Sequence, residues 1–219
     1  MANPRLTRRD ALMAAGLVAG GYAVATLLHA TAPLGTDVAG NLIAQAALDD
    51  PDAPKGGFPD GNLTMAVYTD FRCPACRLAH PAMRRAIAAD GKVRLLYKDF
   101  PIFGPISKAA AESAIASNFQ GLYEPFHDRL MTGPATVNMA DIRRSITAVG
   151  GDRDRLEADR KAHSAAIEGR IARVANEAFG LGIAGTPSYL VGTILVIGAL
   201  DQHGFKRVFD DARRKVASN

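Results

Sequence analysis

Val67-Tyr68-Thr69-Asp70-Phe71-Arg72-Cys73-Pro74-Ala75-Cys76-Arg77-Leu78-Ala79-His80 is the stretch whose reading decides the fold. Upstream of the cysteines, Leu63 to Tyr68 is apolar and β-prone, which predicts a strand. Downstream, Leu78, Met83, Ile87 and Ala88 recur at helical spacing, which predicts a helix over Cys73–Ala89. A strand that runs straight into a helix puts Cys73 at the helix N-terminus. Unsatisfied backbone N–H groups and the macrodipole favour negative charge there, and so thiolate over thiol. Cys76 follows about one turn later on the same face, within disulfide reach. Pro74 falls in the first turn, where its missing N–H costs nothing, whereas Pro81, further in, predicts a kink.

A Cys-x-x-Cys pair admits three chemistries. A structural zinc site needs about four ligands; these are the chain's two cysteines, and its five histidines (29, 80, 127, 163 and 203) are scattered. An inert structural disulfide closing so short a loop removes little unfolded-state entropy. A reversible dithiol beside a strand–helix–strand pattern is the favoured reading. Two cysteines in one motif also mean that there is no disulfide framework. Of the formal net charge of +4, half comes from Arg5, Arg8 and Arg9 against Asp10, so the remainder carries no nucleic-acid footprint.

Those arginines belong to residues 1–32, which read as a targeting segment rather than as fold. Arg8-Arg9 precedes an uncharged, Ala- and Gly-rich run over residues 11–32, resembling a twin-arginine export signal. The run is also long enough to be an uncleaved membrane anchor. Either way the catalytic portion is expected in the periplasm or on the extracytoplasmic face of the inner membrane, where disulfides persist. Residues 33–62 read as a short helix (Asn41 to Leu48) packed on the domain, followed by a Pro-, Gly- and Asp-rich loop from Asp49 to Gly61.

The domain is expected over residues 63–219. After the first strand and helix, Asp90-Gly91 turns into a second strand, Val93 to Tyr97. Residues 107–180 carry helical signals only, with Asn138 and Asp152 as N-caps. Strands return at Ser188–Val191 and Ile194–Ile197, joined by Gly192-Thr193 as a two-residue hairpin. A last helix from about Asp201 should bury Phe205, Val208, Phe209 and Ala212.

That order, with Cys73-Pro74-Ala75-Cys76, Lys98-Asp99-Phe100-Pro101-Ile102, Phe126-His127-Asp128-Arg129-Leu130-Met131 and Leu181-Gly182-Ile183-Ala184-Gly185-Thr186-Pro187-Ser188-Tyr189, resembles a DsbA-family thiol–disulfide oxidoreductase. Within the family it is most similar to the branch containing ScsC. The resemblance implies an α/β, thioredoxin-like fold: a mixed four-stranded core sheet with an all-helical subdomain inserted at about residues 105–182. It implies that Cys73 is the exposed sulfur carrying the mixed disulfide, and that Cys76 is the shielded, resolving one. Thr186-Pro187, trans by the ordinary prior, becomes cis beside the dithiol, with the Thr186 main chain binding an extended substrate. Pro74 and Ala75 tune the couple. DsbA itself has histidine where Ala75 stands, so a more reducing pair is expected. The resemblance implies no cofactor and no metal. As partners it implies exported thiol- or disulfide-containing proteins and a membrane redox protein, DsbB-like for an oxidase or DsbD-like for an isomerase or reductase. A thiol-based copper-binding envelope protein is the alternative from another class.

Other polar residues read blandly. Asp70 suits a turn or cap better than a proton relay to Cys76. His80 is expected to be solvated, His127 to pack, and Lys98 and Asp99 merely to end a strand. Met65, Met83, Met131 and Met139 read as core filling rather than metal capture.

Overall fold

The structure is a computed structural model that describes residues 33–217 and, upstream, residues 13, 14, 17 and 20–22. The expected export segment therefore lies almost wholly outside the described residues. Among those described, no helix is long and apolar enough to cross a membrane. The described residues from Gly35 onward form one compact unit.

In chain order this unit runs β1 (Thr36–Asp37), α1 (Leu42–Leu48), β2 (Lys55–Gly57), β3 (Leu63–Thr69), α2 (Pro74–Asp90), β4 (Val93–Asp99), α3 (Pro105–Ser117), a 3₁₀ turn (Asn118–Gln120), α4 (Tyr123–Thr132), α5 (Met139–Ala148), α6 (Arg153–Ala162), α7 (Ser164–Gly180), β5 (Ser188–Val191), β6 (Ile194–Ile197) and α8 (Gln202–Ala217). The strands form one sheet in the order β1-β6-β5-β3-β4-β2. Only β3 and β4 are parallel, in register from Leu63 opposite Val93 to Thr69 opposite Asp99. α2 makes the crossover between them, and α3 to α7 all fall between β4 and β5, as the inserted helical block predicts.

The four expected core strands, β3 to β6, are there, and the sheet has six strands in all. The two extra ones are short edge pieces from the segment read as linker: β1 on β6 and β2 on β4. Lys55-Gly56-Gly57 has no apolar alternation to announce it; the free edge of β4 recruits it. Gly57 has a φ of 68°, and a Cβ there would stand 2.6 Å from the Val93 carbonyl oxygen, so the pairing depends on glycine.

β3 is buried along its length except at Thr64. As a central strand it is covered on both faces, so its apolar run is continuous rather than alternating. Ala66 and Tyr68 share a cluster with Ala44 and Ala47 of α1 and with Val174 and Ala178 of α7. α1, capped by the Asn41 side chain, thus packs on the domain as expected. It does so through Ala44 and Ala47, because Leu42 is 76% exposed. α8 packs against α2, β3 and β5, burying Phe205, Val208, Phe209 and Ala212 as its spacing predicts.

α2 begins after Cys73 and ends at Gly91, whose φ of 71° closes the last turn; it continues through Pro81 without a break. Its buried face is Cys76, Ala79, His80, Met83 and Ile87. Leu78, counted among the residues that announced this helix, is 79% exposed. Cys76 fixes the inward direction, and a residue two positions on lies on the opposite side.

Lys98 does more than end a strand. It is fully buried, and its Nζ lies 2.9 Å from Asp50 Oδ2 and 3.0 Å from Glu177 Oε2. Tyr68 donates its hydroxyl hydrogen to Glu177, and Arg170 donates to the Asp52 carbonyl at 2.7 Å. This network ties the segment before β2 to β3, β4 and α7. Burial alone would raise the Asp50 carboxyl, but Lys98 and Arg170 outweigh it and hold the group below the ordinary carboxylate range.

Candidate dithiol site

Cys73 is the N-cap of α2, with extended backbone at φ −71° and ψ 117°. Its Sγ accepts the backbone N–H of Cys76 at 3.3 Å. As a thiol it donates to the Thr186 carbonyl at 3.2 Å, joining two segments 113 residues apart in sequence. The Thr186–Pro187 bond is cis. All the residues singled out in the sequence, Cys73, Pro74, Ala75, Cys76, Thr186 and Pro187, thus meet at one place. Both cysteines are free thiols, and each is 2% exposed. This corrects the expectation of one open and one shielded sulfur: the Cys73 side chain caps its own helix and is covered by Thr186. Burial pushes the Cys76 thiol up to about 12; Cys73 beside it adds to this, while the Thr186 side chain and the Asp70 main chain pull the other way.

The turn leading into Cys73 is held by Asp70, which is 1% exposed. Its Oδ1 accepts the Arg72 N–H and the Ser107 hydroxyl, both at 2.7 Å. Its Oδ2 accepts the N–H groups of Ile102 and Phe103 at 2.7 and 2.9 Å. Four bonds use the acceptor capacity of the carboxylate, so the turn role expected for Asp70 is the one seen. Arg72 donates to the Phe103 carbonyl at 3.1 Å. One carboxylate therefore fixes both the cysteine turn and the loop after β4, whose Ile102 and Phe103 are each 44% exposed.

A family model for the DSBA-like thioredoxin domain matches residues 64–210. The chain belongs to this family. It is 36% identical to a thioredoxin-like oxidoreductase from Silicibacter pomeroyi DSS-3, with a TM-score of 0.73 over 78% of this chain and 97% of that one. It is 25% identical to the thiol-disulfide exchange protein alpha-DsbA2 from Wolbachia pipientis, with a TM-score of 0.72 over 76% and 90% of the two chains. It shares its fold with the catalytic domain of Proteus mirabilis ScsC, at 22% identity and a TM-score of 0.67 over 77% and 93%. A curated relative, the Na(+)/H(+) antiporter NhaA 3 of Salinispora tropica, is 32% identical over 148 residues, which are 65% of this chain and 22% of that protein. The chain thus spans about a fifth of the length of the curated relatives it matches.

The DsbA-like domain also buries titratable groups away from the sulfurs. His127 is fully buried, packed on Phe71, Tyr97 and Tyr123, and burial lowers it to about 4. His80 is 3% exposed rather than solvated, and faces Asp128 of α4. Asp99 is 2% exposed and accepts the Tyr123 hydroxyl hydrogen at 2.8 Å; burial pushes its carboxyl up to about 7. Its ordinary value is 3.8, so between about pH 4 and 7 the folded chain keeps a proton that the unfolded chain has released. Stability from this group is lost as pH rises through that window, at up to about 1.4 kcal/mol per pH unit. Asp99→Asn keeps the acceptor and removes the titration. Its unfolding free energy relative to wild type, followed by urea denaturation, is expected to rise from pH 4 to 7 and then level off. A difference that stays flat across the window refutes this account.

Proposed function

We propose that this protein is exported and catalyses dithiol–disulfide exchange in cell-envelope proteins through a mixed disulfide at Cys73, with Cys76 as the resolving sulfur. The observation that carries the reading is the position of Cys73 Sγ, which receives the Cys76 N–H at a helix start and faces the Thr186 carbonyl. In the oxidising direction a substrate thiolate attacks Cys73 of the Cys73–Cys76 disulfide. The S–S bond breaks, and Cys76 leaves and takes up a proton. A second substrate thiolate then attacks the mixed disulfide and expels Cys73 as thiolate. Two electrons pass from substrate to the protein, and the reverse sequence reduces a substrate disulfide.

Thr186 supports substrate binding through its main chain. While Cys73 is a thiol its S–H occupies the Thr186 carbonyl; loss of that proton frees the carbonyl for an extended substrate strand. Pro74 is exposed in the first turn and Ala75 is half-buried beside the pair. Ala75 has no hydrogen bond to give the thiolate, so Ala75→His is expected to make the couple more oxidising by about 30 mV or more, the equivalent of about 1.4 kcal/mol. Equilibration against glutathione redox buffers measures this, and an unchanged potential refutes the tuning role.

The direction of electron flow decides the membrane partner. A resting wild-type protein that is mostly oxidised in cells supports an oxidase served by a DsbB-like protein. A mostly reduced one overturns that direction in favour of an isomerase or reductase served by a DsbD-like donor. Localisation outside the cytoplasm rests on residues 1–32 and on the exported thiol chemistry. Fractionation of the full chain tests it, and recovery in the cytoplasm refutes it.

A further inference from the structure

Behind the dithiol, where α2 meets α4, three ligand-type side chains converge away from the sulfurs. His80 Nε2 lies 3.0 Å from Asp128 Oδ1, and His127 Nδ1 lies 3.8 Å from the same oxygen. The side chains of His80 and His127 are 2% and 0% exposed. Despite this crowding, neither imidazole makes a hydrogen bond of good geometry to Asp128 Oδ1, and His127 Nδ1 is left without a well-aligned partner. Buried polar atoms are rarely left so. On the far side of its ring, His127 Nε2 faces the Thr69 hydroxyl at 3.5 Å. If that nitrogen carries the ring proton, the Nδ1 lone pair points at a carboxylate lone pair.

We propose that His80, His127 and Asp128 form a binding site for a divalent transition-metal ion of the zinc class, joining the dithiol helix α2 to the inserted helix α4. The ligand atoms of all three lie within 4.8 Å of one another. Tetrahedral zinc with arms of about 2.0–2.1 Å has ligand–ligand edges of about 3.4 Å. The 3.0 and 3.8 Å separations bracket that edge, so small side-chain movements complete the shell, with water in the fourth position. Two imidazoles and a carboxylate are a donor set that zinc accepts. The second layer is also in place. Asp128 Oδ2 is held at 3.3 Å by Arg84 Nε, which leaves Oδ1 for the ion. Arg84 is itself paired with Glu124, so Arg84, Glu124 and Asp128 together carry one net negative charge to meet a dication. The site differs in residues and position from metal capture by the two thiols.

The test uses the full chain with Cys73 and Cys76 oxidised to their disulfide, so that the thiols cannot ligate. Titration with Zn²⁺ is expected to show one bound equivalent and a thermal midpoint that climbs with free Zn²⁺. Asp128→Asn, near-isosteric and able to keep its contact with Arg84, and His80→Gln are each expected to weaken binding tenfold or more. A measurement on wild type guards against variants that fail to fold: Zn²⁺ should shift the ring-nitrogen resonances of His80 and His127. Absence of a bound equivalent overturns the proposal. So does affinity unchanged in both folded variants, or shifts confined to His29, His163 or His203.

Discussion

A Cys73→Ser chain will show no thiol–disulfide exchange above the uncatalysed background, while Cys76→Ser will retain the first step and accumulate a mixed disulfide. The loss in the first variant is chemical, because a hydroxyl forms no disulfide. It is not a folding defect: serine is among the best N-caps, and its oxygen can accept the Cys76 N–H that the sulfur accepts now. The asymmetry between the variants follows from the Cys76 thiol being pushed up to about 12. Burial favours its protonated form in the resting site. It acts only when the mixed disulfide is already beside it. Insulin reduction reports turnover, and non-reducing electrophoresis with mass analysis reports adducts. Adducts on Cys76 in the Cys73→Ser chain would reverse the assigned roles.

Local chemistry made most of the fold legible. The Gly192-Thr193 hairpin needs a residue at positive φ, and Gly192 has a φ of 53°. Asn138 and Asp152 cap α5 and α6 where the side chains announced them. The four core strands and the burial of α8 followed from apolar patterning. What the sequence hid was long-range or had no period. β2 is a strand only because β4 offers an edge. The cis state of Thr186–Pro187 came from the family resemblance, against the prior for any X-Pro bond. His80 looked solvated because its partner Asp128 lies 48 positions away, on a helix whose packing no local pattern reveals. Cys73 looked open because the sequence cannot show the Thr186 carbonyl lying over it. Lys98 did leave a signal: a lysine following Leu95-Leu96-Tyr97 in a strand flanked by other strands needs a buried partner.

That lysine carries the other large effect. Lys98→Met is expected to cost about 3–5 kcal/mol, the usual penalty for removing one member of a buried ion pair and stranding the other. Two carboxylates are stranded here, because Asp50 and Glu177 have side-chain exposures of only 10% and 11% and share the same ammonium. Arg170, 3.6 Å from Asp50 Oδ2, can answer part of that charge; Glu177 keeps the Tyr68 hydroxyl. Against a total stability of about 5–15 kcal/mol, such a loss brings the variant close to unfolding at ordinary temperatures. The penalty belongs to the uncompensated charge and not to the missing attraction, so neutralising the partners should restore most of it. Lys98→Met combined with Asp50→Asn and Glu177→Gln is expected to be more stable than Lys98→Met alone, by about 2 kcal/mol or more. Urea unfolding of the two chains measures the difference. A single variant within about 1 kcal/mol of wild type would mean that water reaches Asp50 and Glu177 once the lysine is gone, and that the network fixes the segment before β2 without holding the sheet together.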